Sequence, residues 1–94
     1  MLLWQTNIND FKYYLGVEKS LAKNSVVSYE SDLQKLATFI SMIAPTKQPS
    51  EVTLQDLQQF IKYISEFNFT ESTQSRIISG IKHFYKFLIL KYIL

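Results

Sequence analysis

Val26, Tyr29, Leu33, Leu36 and Ile40 are spaced i, i+3, i+7, i+10 and i+14, an apolar stripe running along about four helical turns. The same period returns three more times. Ile8, Phe11 and Leu15 carry it with Tyr14 beside them; Leu54, Leu57, Ile61 and Ile64 carry it, widened by Phe60; and Ile78, Ile81, Tyr85 and Leu88 carry it, flanked by Ile77 and Phe84. No alternation of period two competes. Four such stripes in 94 residues predict an all-α domain of four helices, packed as a bundle or as a more orthogonal cluster. A chain of this length buries roughly 65% of its unfolded surface, enough for one modest core. Residues 1–94 are therefore expected to form a single domain.

Local signals set the expected boundaries. Asn9 is a candidate cap for a first helix over about 9–19, with Asp10 near its positive end. Asn24 or Ser25 caps the second, which stops before Pro45. Thr53-Leu54-Gln55-Asp56 fits a capping box for the third, with Asp in place of the commoner Glu, and that helix ends near Phe67-Asn68. Thr70 or Ser72 caps the fourth. Gly80 falls inside it, at a cost of about 1 kcal/mol against Ala; it either admits a close neighbour or is simply tolerated.

Chemistry is scarce. There is no cysteine and a single histidine, His83, so disulfides, thiolate metal sites and paired-imidazole sites are excluded. Two glycines and two prolines are too few for a phosphate-cradling glycine loop or a turn-rich β-sandwich. Glu30 and Asp32 are two apart and diverge on a helix. No acid-rich loop offers oxygen ligands to a metal. No cofactor and no enzymatic activity are expected of this chain alone. The apolar run 84–94 is broken by Lys86 and Lys91 and is too short for a membrane span, which needs about 20 residues. Met1-Leu2-Leu3-Trp4 lacks the apolar stretch of a signal peptide, so a cytoplasmic protein with no membrane partner is expected.

The net charge of +2 hides a division. Residues 1–71 hold six basic and eight acidic side chains, a sum of −2, whereas residues 72–94 hold Arg76, Lys82, Lys86 and Lys91 and no acid, a sum of +4. A one-signed final quarter either meets a polyanion or is an ordinary solvated face. Two polar stripes share its character: Asn24, Ser28, Ser31 and Lys35 on the second helix, and Ser75, Ser79, Lys82 and Lys86 on the fourth, with Arg76 and His83 alongside. Small hydroxyls and amides let a helix approach a nucleic-acid backbone and donate to phosphates that Lys and Arg neutralise.

The order of these residues resembles a known family. The segment 11–21, Phe-Lys-Tyr-Tyr-Leu-Gly-Val-Glu-Lys-Ser-Leu, is similar to the first helix of the N-terminal domain of tyrosine recombinases of the Xer and phage-integrase type. Asn24 to Leu33, Val52 to Leu57, and Thr73 to Leu88 with Arg76, Ser79, Lys82 and Phe84-Tyr85 resemble the next three motifs in order, covering about residues 8–90.

The resemblance implies a four-helix SAM-like orthogonal bundle, a core-binding domain forming half of a clamp around duplex DNA at a recombination site. Its second and fourth helices would face DNA. By position, Asn24, Ser25 and Ser28 match the second-helix face, and Thr73, Arg76, Ser79 and Lys82 the fourth. Lys23 and Lys86 join by charge, and His83 is a candidate donor, giving about four to six phosphate-neutralising groups. Glu30 and Ser31 stand where the family is often basic, as does Ile77, which thins the expected patch. Arg76 either contacts DNA or pairs internally with Asp32. The family's catalytic residues lie in a following domain, so the implied partners are duplex DNA, that catalytic domain and neighbouring recombinase protomers. The alternative is a helical protein-interaction module using the apolar surface near 84–94.

Overall fold

The computed structural model describes residues 2–93; Met1, and Leu94 at the end of the apolar run, lie outside them. Four helices occur in order: α1 (Leu2–Tyr13), extended by a π-helical turn (Tyr14–Glu18); α2 (Lys23–Ile43); α3 (Leu54–Ser65), preceded by a 3-10 turn (Pro49–Glu51); and α4 (Glu71–Ile93). No strand occurs among the described residues. The all-α SAM-like bundle implied by the sequence is the fold observed.

The core is one cluster contributed by all four helices. Trp4, Ile8, Phe11 and Leu15 face Leu33, Leu36, Ala37 and Ile40 of α2, with Phe60 and Ile64 of α3 and Ile77, Ile81, Phe84 and Leu88 of α4. Phe84 is fully buried and joins three other rings. Its ring meets Phe11 edge-on with centroids 5.5 Å apart, stacks on Trp4 at 6.5 Å and meets Tyr85 at 5.2 Å. Such aromatic pairs add about 0.5–1.5 kcal/mol each beyond the area they bury.

The first helix begins seven residues before Asn9, because Trp4 and Asn7 are buried and hold the extra turns down. The Trp4 indole Nε1 donates to the Lys47 carbonyl at 2.9 Å. Asn9 is therefore mid-helix, its Oδ1 accepting from Gln5 Nε2 at 3.0 Å, and Asp10 accepts from Lys91 of α4 instead of facing a helix start. The helix ends by widening: Lys19 N donates to Tyr14 O, Leu21 N to Leu15 O, and Ser20 takes φ 54. A left-handed residue commonly closes a helix and is usually Gly; here serine fills the place.

The second helix starts one residue before Asn24, with Ala22 at the N-cap and no side-chain cap, so neither Asn24 nor Ser25 caps it. It ends at Ile43, ahead of Pro45. The third begins as expected. Thr53 Oγ1 accepts from Asp56 N at 3.1 Å and Thr53 N donates to Asp56 Oδ2 at 3.0 Å. Its apolar seam is rotated from the expected line, however. Phe60 and Ile64 are buried, while Leu54 is 72% exposed and Ile61 lies at the surface. Asp56 occupies the buried side because it completes the cap, and the large Phe60 ring reaches Phe39 at 5.7 Å. The fourth helix is capped by Thr70, whose Oγ1 accepts from Thr73 N at 3.2 Å. Its buried row is Ile77, Ile81, Phe84 and Leu88, with Ile78 and Tyr85 only half-buried at the edge. Tyr85 spends its hydroxyl on the Pro49 carbonyl at 2.8 Å, and burial pushes its pKa up, assisted by the charge on Asp56.

Asp56 also accepts from Lys47 Nζ at 2.8 Å. That bond first, and the Thr53 backbone N–H second, hold its pKa below the ordinary 3.8. A carboxylate depressed in the folded state stabilises the fold above its ordinary pKa and loses that contribution as pH falls through the lowered value. Asp56→Asn is therefore expected to be less stable than the parent at pH 7 and to lose less stability between pH 5 and pH 2. Urea denaturation across that range checks this, and parallel losses in the two proteins would contradict it.

Candidate nucleic-acid interface

The α2 and α4 helices pack against each other and are tied at their crossing by one ion pair. Asp32 is fully buried, and Arg76 meets both its oxygens, Nε to Oδ2 at 2.9 Å and Nη2 to Oδ1 at 3.0 Å. These bonds hold the Arg76 pKa above its ordinary value. Lys35 approaches the same carboxylate at 3.8 Å while donating to Ser31 Oγ at 3.0 Å. Of the two roles open to Arg76, the internal pair with Asp32 is present.

A second close approach lies nearby. A Cβ on Gly80 would stand 2.9 Å from Tyr29 Cδ1, so the glycine makes room for the tyrosine ring. The mid-helix glycine thus has a packing reason. With the backbones fixed at these two points, Asn24, Ser25, Ser28 and Tyr29 of α2 line a cleft of about 340 Å³ with Arg76 of α4.

The remaining expected residues fall on either side. Lys23 is exposed in the first turn of α2, and Ser79 is half-buried on α4. His83 is exposed, with its ring edge-on to Tyr29 at 6.1 Å, and Lys86 is exposed one turn farther along. Thr73 is drawn into the cap of α4, its Oγ1 accepting from Thr70 Oγ1 at 3.0 Å. Lys82 leans toward α3, where it lines an apolar groove with Leu57, Ile61 and Ile78. The structure thus joins Asn24, Ser25, Ser28 and Arg76, sets His83 and Lys86 beyond Tyr29, and leaves Thr73 and Lys82 apart from the cleft.

Tertiary structure also redistributes the charge. Two of the four cations after residue 71 are matched by acids of the preceding chain: Arg76 by Asp32 and Lys91 by Asp10. Glu30, which stands where the family is often basic, is answered by Lys12 at 2.9 Å. Among the described residues, no carboxylate lies within ion-pair distance of Lys23, Lys82 or Lys86. Ile77 is no thinned surface position, because it is fully buried in the core. Sequence reasoning placed Tyr29 only in the apolar stripe and passed over Lys19. The signal for Tyr29 was Gly80, whose partner only the packing reveals.

Residues 8–91 match the model of the phage integrase N-terminal SAM-like domain. The chain belongs to that family. This SAM-like domain is 35% identical over 82 residues to tyrosine recombinase XerD of Lacticaseibacillus casei, covering 87% of the chain and 27% of that protein. It is 32% identical over 84 residues to tyrosine recombinase XerC of Herpetosiphon aurantiacus, covering 89% and 27%. It is 33% identical over 79 residues to tyrosine recombinase XerC of Natranaerobius thermophilus, covering 84% and 26%. The chain thus spans about a quarter of the length of these relatives. No solved structure matches it at a significant level. Among the described residues, no helix is long and apolar enough to cross a membrane, and no group of three or more His, Asp or Glu is placed to hold a metal ion.

Because Asp32 is buried, Arg76→Ala strands a carboxylate in the interior of the SAM-like domain with only Lys35 nearby. Only the Asp32 side of the pair is buried, the Arg76 side chain being 44% exposed, so losing the arginine costs about 1–3 kcal/mol, the penalty for leaving a buried acceptor unsatisfied. Arg76→Ala is expected to lower unfolding free energy by about that amount in urea, and Lys82→Ala or Lys86→Ala to change it by less than about 0.5 kcal/mol. Equal, small effects from all three would contradict the assigned role of the bridge.

Proposed function

We propose that this domain binds duplex DNA at a recombination site and serves as the N-terminal clamp of a site-specific tyrosine recombinase, positioning DNA for a separate catalytic domain of the parent protein. The observation that carries this reading is the polar cleft where Asn24, Ser25 and Ser28 meet the α4 face. Its small side chains permit close approach of a phosphate backbone, and their hydroxyl and amide groups supply donors. Lys23 and Lys86 stand nearer to it and Lys82 lies toward α3; among the described residues none of the three has a carboxylate within ion-pair distance, so all three can supply neutralising charge. Family membership, and the similarity to tyrosine recombinases XerD and XerC, support the same reading. The single histidine, His83, packs its ring edge-on against Tyr29, which suits a residue that helps shape the surface held against DNA.

With Arg76 bonded to Asp32, three lysines remain as principal phosphate partners, fewer than the four to six cations counted from sequence. Each neutralised phosphate contributes about −0.9 to the slope of log K against log salt. Titration of a labelled duplex at several salt concentrations is expected to give weak binding with a slope near −3. Lys86→Ala should reduce the steepness by about 1 and weaken binding to all duplexes alike. Absence of binding at low salt, or a slope unaltered in Lys82→Ala/Lys86→Ala, would remove the proposal.

A second reading is protein contact through an apolar face. What favours it is the exposed Leu54 beside the groove of Leu57, Ile61 and Ile78 between α3 and α4, together with exposed Ile89 and Leu90. It adds a neighbouring protomer to the DNA role. Sedimentation without DNA is expected to show salt-insensitive self-association that Leu54→Ser weakens; a monomer at every concentration would argue against it.

A further inference from the structure

Beyond Tyr29 lies a second cleft of about 400 Å³, walled by Tyr14 and Phe87 and rimmed by Lys19, His83 and Lys86. We propose that it takes an unpaired nucleotide beside the duplex, with the base against the aromatic wall and the phosphate at the lysine rim. This inference rests on the duplex-binding reading and names a further ligand next to that face.

Four observations support it. First, the lining combines aromatic rings with cations and contains no carboxylate; single-stranded nucleic acid is recognised by that combination, with stacking for the base and charge for the backbone. Second, the volume lies in the range of small-ligand sites and suits one nucleotide, whereas a duplex is far too wide to enter. Third, Tyr29 lines both clefts, so a strand lying along Asn24, Ser28 and Arg76 reaches the second without leaving the protein. Fourth, the wall is built from irregular backbone. The π-helical turn carries Tyr14, and Ser20 at φ 54 turns the chain between Lys19 and Leu21, both of which line the cleft. Wide helical turns and left-handed non-glycine residues concentrate at functional sites.

The Lys19 ammonium now stands 5.7 Å from the centre of the Tyr14 ring. Its long stem lets it exchange the ring for a phosphate as a base arrives, and it contributes to no other contact of the duplex face. An acidic peptide would satisfy the lysines but would leave the aromatic wall, where Tyr14 and Phe87 meet at 37°, without a matching ring.

The test compares a fully paired duplex with one of the same length carrying a three-thymidine bulge, at one salt concentration, using the full chain. The bulged duplex is expected to bind about tenfold more tightly. Lys19→Ala is expected to abolish that preference while leaving affinity for the paired duplex unchanged. 5-Iododeoxyuridine in the bulge is expected to photocrosslink to Tyr14 or Tyr29. Equal affinity for the two duplexes, or a preference that survives Lys19→Ala with crosslinks mapping elsewhere, overturns the inference while leaving duplex binding intact. Failure of the paired duplex to bind, with tight Lys19-dependent binding of the bulge, overturns the duplex reading and retains the cleft.

Discussion

The carboxylate of Asp32 sets the arrangement of everything that faces outward. It is buried at the α2–α4 crossing and takes two hydrogen bonds from one guanidinium 44 residues away. A lone buried carboxylate is costly, so the two helices are held where Arg76 reaches both oxygens. The Gly80–Tyr29 approach then sets the spacing a turn farther along α4. On the N-terminal side of these points the serine and asparagine side chains of α2 share one cleft with Arg76 of α4. The bridge thus trades a surface cation for a defined surface shape.

On the proposed DNA-binding reading, that trade leaves few free charges for the nucleic acid. Lys91 and Arg76 secure α4 against α1 and α2, Lys12 secures α1 against α2, and Lys47 secures the loop before α3. The lysines left over are sparse. On the same proposed reading, such a surface would bind weakly alone and would share its grip with other domains on one DNA molecule, since linked weak contacts reinforce each other through effective concentration. The aromatic cluster around Phe84 supplies the rigidity that weak contacts need. Phe11, Trp4 and Tyr85 hold it from three sides.

Much of the fold could be read directly. The stripe Leu33, Leu36 and Ile40, the Thr53–Asp56 capping box and the stop before Pro45 are local features, and each appears in the structure where its spacing places it. The readings that failed were those that local pattern leaves degenerate. Leu54 and Ile61 fit a helical period as well as Phe60 and Ile64 do, and only the position of Phe39 decides which pair is covered. Asn9 looks like a cap unless Trp4 is known to be anchored by the Lys47 carbonyl. Within the candidate site, the small polar residues of α2 and the cations of α4 were visible as stripes. The separation of Lys82 from the cleft, the diversion of Thr73 into a cap and the place of Tyr29 between two clefts were not.

By itself the sequence determined the class of fold, the number of helices and the family, because periodicity, capping chemistry and the order of motifs are properties of neighbours along a chain. Tertiary structure decided which charges are free. The +4 of residues 72–94 is a sum over side chains that the fold sends to different places, Arg76 to Asp32 and Lys91 to Asp10, while Lys82 and Lys86 stay exposed. Coulombic pairing depends on distances of a few ångströms between residues tens of positions apart, and helix packing, not chain order, sets those distances.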